Sequence, residues 1–242
     1  MKAEKITYTM GALTAEGVLV YDETISGHRP AVLMGPNWMG LTDKAIERAE
    51  LLAGDRYVVF VADMYGQGKR PADFGEAAAL ANPLREDPVE QRRRIRAAYD
   101  AMIAAGTRHN LIDGRRAAIG FCFGGGNVLE LARDGADIAA AVSIHGDLKT
   151  ALAATRGAVK AALLVTHGAP DPVAPKADRD AFEAEMDAAG AQWTMLVFSG
   201  VLHAYTDQGA DVPGIAAWHE PSTRQTYALA HQFIADAFAG QL

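Results

Sequence analysis

The chain has 242 residues, half of them hydrophobic and 22% charged, with a formal net charge of −7 and one cysteine, which is enough apolar material for a sizeable core in one domain over 1–242. The acidic balance, with no basic run longer than Arg92-Arg93-Arg94, argues against a nucleic-acid partner, and that triplet reads as a solvated helix face. A lone cysteine cannot form an internal disulfide, no apolar run approaches the ~20 residues of a membrane span, and no signal-like segment opens the chain, so a soluble, cytoplasmic protein is expected.

In chain order, Lys5–Thr9 and Gly17–Tyr21 read as two short strands joined by a turn, an antiparallel entry to a larger sheet. Six continuous apolar runs follow: Pro30–Met34, Tyr57–Val61, Ala117–Phe121, Ile138–Ser143, Ala161–Thr166 and Trp193–Phe198. Runs without alternation suit strands covered on both faces. Helix-length segments lie between and after them, at Asp43–Leu52, Pro88–Ala105, Gly125–Ala132, Lys176–Ala188 and Ser222–Phe238, and the alanine-rich stretches 77–81 and 151–154 also read as helical. The alternation predicts an α/β fold: a mostly parallel central sheet with an antiparallel N-terminal hairpin and helices on both faces. Function then belongs at the carboxyl ends of the strands. The stretch Met64–Asp87, rich in glycine and proline, reads either as an excursion shaping a pocket or as a surface loop.

The cysteine, Cys122, stands in Gly120-Phe121-Cys122-Phe123-Gly124-Gly125-Gly126, between a strand and a helix. The pattern Gly-x-nucleophile-x-Gly suits a sharp strand-to-helix turn that lifts one side chain clear of the backbone and needs small neighbours. A nucleophile there requires a base and an orienting carboxylate from the same sheet edge. Two later strands supply them: Asp171 follows Ala161–Thr166, and His203 follows Trp193–Phe198. Of the seven histidines, His28, His109, His219 and His231 fail on location. His145 follows a core strand and is expected to line the pocket, while His167 sits too close to Asp171 to be an independent base and is expected to pack or orient that turn. The glycine cluster lacks both Gly-x-Gly-x-x-Gly spacing and a phosphate-loop Lys-Ser/Thr, and no histidine pair sits at i and i+4, so neither a nucleotide cofactor nor a metal is expected.

The order nucleophile, acid, histidine is that of the α/β-hydrolase fold. Gly120-Phe121-Cys122-Phe123-Gly124-Gly125, Asp63-Met64-Tyr65-Gly66, His167-Gly168-x-x-Asp171-Pro172-x-x-Pro175 and His203-Ala204-Tyr205-Thr206 together resemble the dienelactone hydrolase family over essentially the whole chain. The resemblance implies attack by Cys122 on a small-molecule ester or lactone through an acyl-thioester, with His203 relaying the proton, Asp171 holding the imidazole, and backbone N–H groups of Trp38 and Phe123 as oxyanion donors. Asn37, Tyr65, His145 and Tyr205 are expected around the pocket. Asn37 stands where the family typically places a glutamate, and Asp207 stands shortly after the histidine, where the family carries an arginine for a substrate carboxylate. An acid there would repel such an anion, so the expected substrate lacks the carboxylate or is held by Arg70 or Arg85. A non-catalytic ligand-binding or thiol-sensing protein is the alternative reading, and monomer and dimer stay equally open.

Overall fold

A computed structural model describes residues 1–242. The strands are β1 (Lys2–Met10), β2 (Leu13–Tyr21), β3 (Arg29–Gly35), β4 (Val58–Val61), β5 (Ile112–Phe121), β6 (Ala140–Ile144), β7 (Ala162–Gly168) and β8 (Trp193–Phe198), with a short ribbon of β9 (Asp211–Val212) and β10 (Ala216–Ala217). The helices are α1 (Asp43–Ala53), α2 (Phe74–Glu86), α3 (Pro88–Arg108), α4 (Phe123–Arg133), α5 (Lys176–Ala189) and α6 (Glu220–Phe238). The first eight strands form one sheet in the order β1-β2-β4-β3-β5-β6-β7-β8, antiparallel through the β1–β2 hairpin and its pairing with β4, parallel from β4 onward.

Alternate side chains of each central strand serve opposite faces, which is why these runs are apolar throughout. Leu19, Leu33, Phe60, Ala118 and Leu163 pack with Ile95 and Met102 of α3, Leu129 of α4 and Phe182 of α5. Val20, Val32, Val59, Ile119, Val142 and Leu164 meet Ala49 and Leu52 of α1 and Phe233 and Ile234 of α6. Both layers are closely buried, and burying one large aliphatic or aromatic side chain there contributes roughly 1.5–3 kcal/mol.

Several sequence expectations change. The run Trp193–Phe198 is an edge strand with Val197 41% exposed, so its apolarity does not reflect cover on both faces. Residues 151–154 are irregular rather than helical, because side chains claim their backbone: Glu185 accepts from Ala154 N, Thr150 Oγ1 from Leu152 N, and Arg92 donates to Leu152 O. Nor is the arginine triplet a solvated face. Arg92 bonds the buried Glu130 at 2.7 Å, and Arg94 reaches Glu90 and the Met64 carbonyl, leaving Arg93 as the most exposed of the three. The stretch Met64–Asp87 contains α2, whose first residue, Phe74, is 60% exposed.

Candidate active site

β5 ends at Phe121, α4 begins at Phe123, and Cys122 between them has φ 53°, in the left-handed region that L-residues rarely adopt. Such local strain is characteristic of a nucleophile turn. The flanking glycines are required by contact rather than by their own dihedrals. A Cβ on Gly124 would lie 2.0 Å from the Gly35 carbonyl oxygen and 2.4 Å from that of Pro36, and one on Gly120 would lie 2.0 Å from the Gly124 oxygen. The turn is thus pressed against the loop leaving β3. At the first position of α4, the Phe123 N–H has no intrahelical acceptor.

The three side chains meet at the carboxyl edge of the sheet. Cys122 Sγ lies 3.2 Å from His203 Nε2, and His203 Nδ1 lies 2.9 Å from Asp171 Oδ2. Asp171 Oδ1 accepts from the backbone N–H groups of Val173 at 2.8 Å and Ala174 at 3.2 Å, which fixes the carboxylate plane. All three are buried, with Cys122 7%, Asp171 1% and His203 6% exposed. Burial alone would lower the His203 pKa. Hydrogen bonds to Asp171 and Cys122, with their negative charge, overcome it and raise the imidazole to about 10. Burial likewise opposes ionisation of Asp171, yet His167 Nδ1 at 3.6 Å and His203 at 2.9 Å hold its carboxyl well below the usual range.

These residues border a cleft of about 1780 Å³ lined by Asn37, Trp38, Phe74, Arg85, Phe121 and Cys122 among others. Trp38 stacks on Phe74 with ring centroids 5.4 Å apart. Three residues expected in the pocket lie behind its wall instead. Tyr65 is turned inward, its hydroxyl donating to the Trp38 carbonyl at 2.8 Å and its ring stacked on Phe123. Tyr205 is fully buried, its hydroxyl satisfied by Thr166 and Thr226. His145 is fully buried against the His203 ring, 5.3 Å between centroids, with Nε2 on Thr206 Oγ1, and burial first, then the charge of His203, lowers its pKa to about 3. It is a neutral floor under His203. His167 packs, fully buried, behind Asp171. For Tyr65, Tyr205 and His145 a polar atom finds a partner inside the protein, so the ring turns away from solvent, whereas neither ring nitrogen of the buried His167 has a hydrogen-bond partner.

The charged residues also rearrange the sequence argument. Asp207 is no free anion: Arg48 of α1 bonds it at 2.5 Å, and the same guanidinium lies 4.2 Å over the Phe121 ring. Arg85 lines the cleft but is paired with Asp147 at 2.7 Å and lies over the Phe123 ring, whereas Arg70 is 3.8 Å from Asp63 and away from the cleft lining. Arg48 and Asp147 were missed in sequence because each partnership spans a long separation with no local pattern. Asn37 makes no hydrogen bond to Cys122; its amide bonds Asp207. Asp63, within one of the motifs, bonds Glu16 N, Tyr65 N and Gly66 N and so shapes the loop after β4.

A strand-turn-helix cysteine, with acid and histidine on loops after two later parallel strands, is the arrangement of an α/β-hydrolase. The chain belongs to the dienelactone hydrolase family, whose model matches residues 16–237, and it is accordingly a hydrolase. It is similar to a dienelactone hydrolase-like promiscuous phosphotriesterase, P91, from metagenomic libraries, at 34% identity and TM-score 0.90 over 98% of both chains. A structure described as m3DLH gives the same values. A thermophilic esterase from Thermogutta terrifontis shares the fold alone, at 16% identity and TM-score 0.65 over 99% of this chain and 95% of its own. No curated protein matches the chain. No helix is long and apolar enough to cross a membrane.

Proposed function

We propose that the chain hydrolyses a small, uncharged ester or lactone through Cys122 and an acyl-thioester intermediate. The observation that carries this reading is the continuous relay from Sγ to Nε2 at 3.2 Å and from Nδ1 to Asp171 at 2.9 Å, opening on the cleft. The Cys122 Sγ–H proton passes to His203 Nε2, so the reaction starts from a thiolate facing an imidazolium. Sγ forms a bond to the carbonyl carbon, the carbonyl electron pair moves onto oxygen, and the N–H groups of Trp38 and Phe123 receive the oxyanion. Collapse breaks the bond to the leaving oxygen, which takes the Nε2 proton. Water, deprotonated by Nε2, then attacks the thioester, and sulfur leaves as the acid is released.

Both arginines that line the cleft, Arg48 and Arg85, are engaged by carboxylates, which favours a substrate without a carboxylate of its own. A neutral aryl ester should therefore be turned over faster than its carboxylated analogue. Phosphotriesters belong in the same panel, because the relative at 34% identity is described as acting on them and a phosphoryl oxygen can use the same donors.

The test is Cys122→Ala with a neutral activated aryl ester, together with mass spectrometry of the wild type during turnover. The expected result is loss of turnover with an unchanged circular dichroism spectrum, and a wild-type species heavier by one acyl group. Turnover at the wild-type rate by Cys122→Ala would overturn the assignment.

A further inference from the structure

The loop that carries Trp38 is tied to the loop that carries His203, and the chemistry above makes no use of the tie. Asn37 sits at its centre. Its Nδ2 donates to Asp207 Oδ2 at 3.1 Å, its Oδ1 accepts from Met39 N at 3.1 Å, and its backbone carbonyl accepts from Gly40 N at 2.8 Å. Asp207 in turn is held by Arg48 at 2.5 Å, and Arg48 rests on Phe121, the residue before Cys122. A trans peptide directs its C=O and N–H oppositely, so fixing the Asn37 carbonyl on Gly40 also fixes the direction of the Trp38 N–H. The next peptide is fixed as well, since the Trp38 carbonyl accepts from Tyr65 and its N–H partner, Met39 N, from the other end donates to Asn37.

The residue types fit this task. The side chain at position 37 must accept from Met39 and donate to a carboxylate, which an amide does and a carboxylate does not. We propose that Asn37, Asp207 and Arg48 are positioning residues that brace the Trp38 loop against the His203 loop and so aim the Trp38 N–H at the developing oxyanion. The proposal rests on the reading of Cys122 as nucleophile. It separates two steps: ester acylation needs the oxyanion donor, whereas alkylation of Sγ by iodoacetamide develops no oxyanion and does not.

The experiment compares Asn37→Ala, Asn37→Asp and the double variant Asn37→Asp with Asp207→Asn, beside Cys122→Ala. Misdirecting one oxyanion donor is expected to lower kcat for a neutral aryl ester by about 10- to 100-fold. KM and the iodoacetamide rate at Cys122 are expected to stay within about twofold. Asn37→Asp sets two carboxylates face to face and is expected to lose at least as much. The double variant restores one amide opposite one carboxylate, with the amide oxygen at position 207 still able to accept from Arg48, and is expected to recover most of kcat. Should Asn37→Ala fail to fold, this single-to-double comparison carries the test. A kcat unchanged in Asn37→Ala, an alkylation rate that falls in parallel with it, or a double variant no better than Asn37→Asp would each overturn the brace. A normal Asn37→Ala beside an inactive Cys122→Ala overturns the brace alone, whereas an active Cys122→Ala overturns the underlying reading and the brace with it.

Discussion

Substituting Asp171 with asparagine keeps the shape of the side chain and removes its charge, and the surrounding donors dictate how the new amide must sit. Val173 N and Ala174 N both donate to Oδ1, so the amide oxygen has to occupy that place and the NH₂ group faces His203. His203 must then offer a lone pair at Nδ1 and carry its proton on Nε2. In that tautomer Nε2 cannot take a proton from Sγ, and a charged ring would set N–H against N–H. The gap between the ordinary value of 6.5 and about 10 for His203 corresponds to a net preference of about 5 kcal/mol for the charged ring, left after Asp171 and Cys122 together overcome the opposing effect of burial. Losing most of the Asp171 share and reversing the tautomer is expected to lower kcat/KM by about 10³-fold, or about 4 kcal/mol. Initial rates with a neutral aryl ester across pH measure this. The wild type should show no imidazole inflection near 6.5 and should lose activity as pH rises through about 10, where His203 gives up its proton. In Asp171→Asn that inflection should move down toward 6.5. A loss below about tenfold, with the wild-type pH profile retained, would refute the relay.

Three further outcomes are expected. Asp171 is held below its ordinary pKa, so its stabilisation is complete above about pH 4 and drains away as pH falls; the wild type should lose about 1 kcal/mol more than Asp171→Asn between about pH 4 and about pH 3, read from urea midpoints, and parallel losses would contradict it. Arg133 is almost wholly buried and bonds Glu130 at 2.8 Å, Glu185 at 2.7 Å and the Leu148 carbonyl at 2.9 Å. Arg133→Ala removes the partner that two carboxylates share, leaving Glu130 only Arg92 and Glu185 only the Ala154 N–H, and should destabilise the fold by about 3 kcal/mol in urea unfolding, a cost under about 1 kcal/mol being the contrary result. Phe74→Ala removes the exposed ring stacked on Trp38 and should raise KM for aryl esters several-fold while leaving alkyl esters nearly unchanged; equal effects on both would exclude Phe74 as an aromatic contact.

Chain order made the frame legible. Six apolar runs marked strands, and the turns after three of them delivered Cys122, Asp171 and His203 to one edge, because in a parallel sheet every strand's carboxyl end faces the same way. What stayed hidden depends on the orientation of side chains that carry both an apolar body and a polar tip. Tyr65, Tyr205 and His145 follow the right strands, yet Trp38 O, Thr166 and Thr206 draw their polar atoms inward. Charge partnerships were hidden for a different reason. Arg48 and Asp207 are 159 residues apart, so Asp207 read from sequence as a repelling anion when it is half of an ion pair. The alanine run at 151–154 misled because propensity yields wherever neighbouring side chains hold the backbone.

The contact between Gly35 and Gly124 divides the molecule into what can vary and what cannot. With two backbones touching where no side chain fits, the cysteine turn and the root of the Trp38 loop form a seam that admits neither insertion nor bulk. Retuning the enzyme toward new substrates must therefore proceed from the outer rim of the cleft, from α2 and the ribbon after His203. Directed evolution that spends its diversity on Phe74, Gln208, Val212 and Ile215 leaves that seam untouched, and libraries centred on the glycines would return mostly misfolded chains.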